Sequence, residues 1–245
     1  MKNETVEELA HVFVLTKKVT TDWNGRIEAI KRVVELSKIE DVVEFSAALY
    51  VIYPCFIAQL KDLRSKVVIE VCESIGELAD ELGIYFDRIG ERLYPQLEKT
   101  LCNKKDVFSK PANNAIQSIL EHTESNTILQ LIIKSTSHRS SSVRCYSYSN
   151  IEYYITKLVD KQTILRKSSN FLSILGNGFE DSNSDVRDVC TSLFWSLYRI
   201  IPEESKSFYD SLTSSKQDRI LQSRPDDIEP FPQKQSLVIG DYETF

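Results

Sequence analysis

Glycine and proline are scarce, seven of each in 245 residues. An all-β fold needs turn formers about every 8–12 residues, so this composition excludes one. The five cysteines (Cys55, Cys72, Cys102, Cys145, Cys190) are scattered and form no CxxC pair. That spacing supports neither a zinc site nor a disulfide framework, and an odd count inside apolar stripes reads as reduced core thiols of a cytoplasmic protein. The three histidines, His11, His122 and His138, lie far apart, and none sits at i, i+4 from another ligand. No GxGxxG, phosphate-binding loop, GxSxG or HExxH occurs. The expectation is therefore a chain with no metal, no cofactor and no catalytic activity. The acidic pairs Asp80/Glu81 and Glu203/Glu204 do not change this, because neighbours diverge by about 100° around a helix. They read as solvated faces. The sequence also lacks an apolar run of membrane-spanning length, and its Met-Lys-Asn-Glu start is no signal peptide. An excess of positive charge is missing too: the net charge is −6, which argues against nucleic acid as a partner.

What the chain has is helical periodicity. From Arg64 onward Val67, Val68, Val71, Cys72, Ile75, Leu78, Ala79 and Leu82 form one apolar face. Three similar stripes follow. One runs Phe108, Ala112, Ala115, Ile116, Ile119, Leu120; another Val143, Ser147, Ile151, Tyr154, Ile155, Leu158. The last runs Val186, Val189, Cys190, Leu193, Phe194, Leu197, Ile200, Ile201. A short polar loop precedes each stripe, and another apolar helix precedes each loop. The loops recur about every forty residues, and two are nearly identical: Ser-Ser-Val-Arg at Ser141–Arg144 and Ser-Asp-Val-Arg at Ser184–Arg187. Helix pairs at this period are the signature of HEAT-like arrays. The fold class expected is all-α, a helical-repeat array of about five to six helix pairs. Its second helices start near Trp23, Leu63, Ser109, Ser142 and Asp185, and a closing segment at Glu203–Leu221 caps the array. Asp22 and Asp185 are expected as N-caps, and Pro111 is expected in a first turn after Ser109. The array should fill residues 1–221, with an amphipathic helix before Thr21. Residues 222–245 carry Pro225, Pro230 and Pro232 and half of the net negative charge, and read as a disordered linker.

In a stack of helix pairs, all the loops within pairs fall on one edge. That edge is aromatic at one end, where Trp23 sits among Asp22, Asn24, Gly25 and Arg26. Trp23 either staples the first pair or anchors a partner, as interface tryptophans do. Trp195, inside an apolar stripe, reads as core. The later loops carry cations: Lys61, Arg64 and Lys66; Lys104, Lys105 and Lys110; His138, Arg139 and Arg144; then Arg187 among Glu180, Asp181 and Asp185. For Arg144 and Arg187 an ion pair between repeats rivals partner contact. Five such loops together point to an acidic partner, even in an acidic chain.

The segment Asp22-Trp23-Asn24-Gly25-Arg26-Ile27-Glu28-Ala29-Ile30 resembles the opening of TOG domains, the tubulin-binding arrays of microtubule regulators. Asp62-Leu63-Arg64-Ser65-Lys66-Val67-Val68, Leu78-Ala79-Asp80-Glu81-Leu82, Leu93-Tyr94-Pro95-Gln96-Leu97 and Trp195-Ser196-Leu197-Tyr198 are similar to the CLASP branch, as are Phe208-Tyr209-Asp210-Ser211-Leu212 and Gln217. The similarity covers roughly Thr21 to Leu221. It implies a monomeric paddle whose loop edge lies on the tubulin heterodimer, first loops on β-tubulin and last on α-tubulin, at microtubules and the spindle. By position, Trp23 is the implied anchor, with Arg64, Lys66, Lys104, Lys105, Lys110, Arg139, Arg144 and Arg187 as the implied basic contacts. The competing expectation is a generic scaffold that holds a helical or acidic peptide on its concave face, with solvated loops.

Overall fold

The structure, a computed structural model, describes residues 22–229 and Phe231. The helix expected before Thr21 lies outside the described residues. The described chain is helical, with no strand among these residues. Its helices are α1 (Trp23–Ser37), α2 (Val42–Gln59), α3 (Ser65–Leu82), α4 (Asp87–Leu101), α5 (Asp106–His122) and α6 (Asn126–Ser135). They continue with α7 (Ser141–Tyr153), α8 (Lys161–Arg166), α9 (Ser168–Phe179), α10 (Ser184–Ile200), α11 (Pro202–Ser211) and α12 (Ser214–Gln222).

The pairing follows the period. Helices α1, α3, α5, α7 and α10 are the second helices of successive pairs and pack side by side in one layer, α3 most extensively on α5. The first helices α2, α4 and α6 form the other layer. The stripe residues fill the space between the layers: Val67, Val68, Val71 and Ile75 on α3, and Ala112, Ile116 and Ile119 on α5, are all buried. A core of this kind stabilises by roughly 25 cal/mol per Å² of apolar surface covered. Cys72 and Cys190 belong to it. Burial pushes the Cys72 thiol up to about 12 and the Cys190 thiol higher still, so neither is a nucleophile. All five cysteines are free.

The structure departs from the sequence reading at several points. Asp22 does cap α1, its Oδ1 accepting the Gly25 amide at 3.0 Å. A Cβ on Gly25 would crowd that carboxylate, so a larger residue there would have to displace the cap. Asp185 is no cap: α10 starts one residue earlier and Asn183 caps it, through the Val186 amide at 3.2 Å. Likewise α5 starts at Asp106, which puts Pro111 inside the helix rather than in its first turn. Prolines 54 and 95 also lie inside helices. Helix α2 is apolar and long enough, by length and composition, to cross a membrane, contrary to the reading that no run was. Phe45, Leu49, Ile52, Cys55 and Phe56 are the face it buries in the array.

The closing segment forms α11 and α12, and Trp195 is core, as expected, 2% exposed. Its indole donates to the Ile220 carbonyl at 3.2 Å, tying α10 to α12. The chain does not leave the array at residue 222. Ile228 is buried, and Phe231 stacks on Trp195 and meets Tyr209 with ring centroids 4.5 Å apart. Asp227 pairs with Arg199 at 2.8 Å. Asp227, Ile228 and Phe231 of the expected linker therefore lie against the array, because one aromatic side chain finds an aromatic wall.

Candidate partner-binding edge

Four of the five loops share one local device. In each, the side chain of a turn residue accepts the amide two residues on: Asp62 from Arg64 (2.8 Å), Asn103 from Lys105 (3.0 Å), His138 from Ser140 (3.0 Å) and Asp181 from Asn183 (2.9 Å). Such turns reverse the chain and leave the middle residue at the tip. The four tips are Leu63, Lys104, Arg139 and Ser182, all exposed. Lys104 and Arg139 were expected contacts. Leu63 was not, although it is 94% exposed. Aligning the loops on their turn residues, rather than on charge, would have found it.

Direct bonds show that the loops are neighbours. The buried Arg26 guanidinium of α1 meets the buried Asp62 carboxylate of the second loop at 2.8 Å, and donates to Gln59. Burial works to raise the Asp62 pKa, but the Arg64 amide and the Arg26 guanidinium outweigh it and hold the carboxyl below its ordinary value. The second and third loops together line one depression. Ser142 of the fourth loop donates to the Leu101 carbonyl at the start of the third, at 2.8 Å. Arg144 of α7 reaches the fifth loop, gripping Asp181 with two bonds of 2.5 and 2.7 Å. That guanidinium is the main cause of the low Asp181 pKa, against the opposing effect of burial.

Trp23 is the first residue of α1; it is partly buried against the core, and the Lys66 ammonium lies 5.2 Å from its ring centroid. Two expected contacts thus meet in one cation–π pair, and Trp23 does not project freely. Arg64 precedes α3, with its guanidinium 45% exposed and 3.4 Å from Asp62. Lys104 and Lys105 are exposed beside each other. Lys110 is exposed one turn into α5 and pairs with Asp106 at 2.8 Å. Arg139 is an exposed tip. Arg144 and Arg187 are set apart. Arg144 is spent on Asp181 and on the His138 carbonyl (2.8 Å), and Arg187 donates to the Asp181 carbonyl at 2.6 Å. Both build the loops. Of the histidines, His122 meets Asp80 at 3.1 Å. No three metal-ligating side chains cluster among the described residues.

The edge therefore presents exposed cations along its middle, flanked by an aromatic end. Helices α1, α3, α5, α7 and α10 all begin at it, so five positive dipole ends add to the field of the side chains. Chemically it suits a folded acidic surface.

Comparison with known proteins agrees with this geometry. The sequence profile of the CLASP N-terminal family matches residues 3–221. CLIP-associating protein 1-A of Xenopus laevis is 26% identical over 206 residues, which are 82% of this chain and 14% of that protein. The chain thus spans about a seventh of the length of that relative. Among solved structures, TOG3 of Drosophila melanogaster Mini spindles superposes with a TM-score of 0.71 at 12% identity, over 87% of this chain and 91% of that one. A TOG domain whose tubulin-binding specificity promotes microtubule dynamics and mitotic spindle formation superposes at 0.64 and 12% identity, over 86% and 79%. The chain belongs to the CLASP N-terminal family and has the fold of a TOG domain.

Proposed function

We propose that this domain binds the tubulin heterodimer through its loop edge, as one part of a microtubule-associated protein that regulates microtubule dynamics at the cytoskeleton and spindle. It acts by binding rather than by catalysis. The observation that carries the reading is the contiguous edge itself, with Trp23 and Lys66 stacked at one end and Lys104, Lys105 and Arg139 exposed along it. A concave-face scaffold has no use for tips held out by four copies of one turn.

Gel filtration of the isolated domain with unpolymerised tubulin tests the proposal. Co-elution is expected at low salt and should weaken as salt rises, since the Debye length falls from ~10 Å at 0.1 M to ~3 Å at 1 M. Reversal of Lys104 and Lys105 to Glu should slow association more than it speeds release. No co-elution at low salt, or binding indifferent to both salt and reversal, refutes the edge.

A further inference from the structure

Between the second and third loops the edge is indented by a depression of about 360 Å³, room for about a dozen waters at ~30 Å³ each. Its floor is Leu60, Gln96 and Thr100, all buried. Its rim combines two kinds of group. Leu63 is 94% exposed and Phe108 half-buried, which gives apolar walls. Lys61, Lys99 and Lys105 are exposed around them, and none of the three forms an ion pair among the described residues. The one carboxylate in the lining, Asp62, is neutralised from behind by Arg26 and Arg64.

We infer that this depression is a specificity pocket within the proposed edge, and that it receives an acidic side chain flanked by an apolar one from the folded surface of tubulin. The inference rests on the proposed function and deepens it. Three features support it. Leu63 at its fixed turn tip and Phe108 line the same depression, so its apolar wall is a pair of side chains that a partner can cover. Three lysines converge where no internal anion balances them, so an incoming carboxylate meets uncompensated positive charge. The rim also reaches the start of the helix that carries Lys66: Leu63 lies two residues before α3, and Lys66, its second residue, sits over the Trp23 ring. Lys99 comes from the last turn of α4, outside every loop, and nothing in its sequence context marks it as a contact. An extended acidic tail would be attracted by the lysines but has no need of Leu63; the apolar wall is what selects a structured surface.

The test measures affinity for unpolymerised tubulin by sedimentation or calorimetry, using Leu63→Asp, Lys99→Glu and the milder Leu63→Ser and Lys99→Gln. Melting confirms that each is folded. Leu63→Asp and Lys99→Glu should each weaken binding about tenfold or more, and the milder pair several-fold. Lys161→Glu, an exposed cation on α8, should leave affinity unchanged. The same losses should persist on tubulin stripped of its acidic C-terminal tails. Wild-type affinity for the Leu63 and Lys99 variants, with Trp23→Ala still impaired, would overturn the pocket and leave the edge standing. An equal loss from Lys161→Glu would reduce the effect to bulk charge and overturn it as well. Losses that vanish on tail-free tubulin would assign the lysines to the tail and overturn the folded-surface occupant. If the wild-type domain fails to bind tubulin at all, pocket and proposed function fall together.

Discussion

Truncating Trp23 to alanine should damage folding and binding separately, by amounts that the structure sets. The indole is partly buried against the core at the first residue of α1. A tryptophan buries 150–250 Å² when fully covered, so roughly 150 Å² is at stake here. At about 25 cal/mol per Å², and allowing for a compact unfolded chain, that burial contributes about 2–3 kcal/mol to folding. Loss of the Lys66 contact adds roughly 0.5–1 kcal/mol. The remaining face is left open to a partner. If tubulin covers it, binding should fall by on the order of 2 kcal/mol, about thirty-fold. Denaturant unfolding reads the first quantity, and calorimetry well below the melting point reads the second on folded protein. Lys66→Ala is the companion variant: it should cost little stability and a few-fold in affinity. A folded Trp23→Ala domain with unchanged tubulin affinity would refute the anchoring role. Unchanged stability would refute the stapling role. Partial burial against the core supports the stapling role, and the anchoring role rests on the proposed function.

Arg144→Ala should destabilise by about 3 kcal/mol or more, since it leaves the half-buried Asp181 carboxylate without its partner, and Arg144→Lys should rescue little because the grip is bidentate; lost affinity with intact stability would instead make Arg144 a contact. Asp62 and Asp181 both titrate below their ordinary value when folded. Their contribution is therefore fully present above about pH 4 and is lost as pH falls through their lowered pKa values. Asp181→Asn should flatten the acid limb of a stability–pH curve, and an unaltered limb would contradict the pairing. Cutting the chain after Gln222 removes Ile228 and Phe231 from the Trp195 wall and should lower stability by roughly 2–4 kcal/mol; identical melting of the 1–222 and 1–245 chains would show that the segment contributes nothing.

The helices were legible because a 3.6-residue stripe leaves few alternatives once glycine and proline are scarce. Their starts were less so. Asp185 has the chemistry of a cap but sits inside the first turn, and nothing short of backbone geometry separates it from Asn183. The start of α5 was misplaced because Pro111 suggested a first turn, whereas Lys105 already enters the helix from an extended conformation. At the edge, exposed lysines were readable from charge alone. Arg26 was not read as a tie between loops, because its partner Asp62 lies one whole repeat away. Phe231 was assigned to a linker because proline-rich composition says nothing about a single aromatic anchor. Leu63 escaped since apolar residues were assigned to stripes, and only the turn made by Asp62 and Arg64 shows that it points away from them.

The division of labour among the arginines follows from one helical position. Arg26, Arg144 and Arg187 each occupy the fourth residue of a second helix. From there each donates to the carbonyl of the residue that begins its own loop: Asp22, His138 and Asp181 respectively. Where the next loop opens with aspartate, the same guanidinium crosses to it, as Arg26 does to Asp62 and Arg144 to Asp181. The second and third pairs have Val68 and Ser109 at this position, both buried. There the loops are shaped without an internal arginine, and the cations around them, Lys61, Lys99, Lys104 and Lys105, stay exposed and outside any ion pair among the described residues. Charge at the two ends of the array thus joins repeats, while these four lysines in its middle stay outside any ion pair among the described residues, available to the proposed partner. Counting basic residues per loop overstates the ends of the edge and understates its centre, which is where the apolar tip at Leu63 also lies.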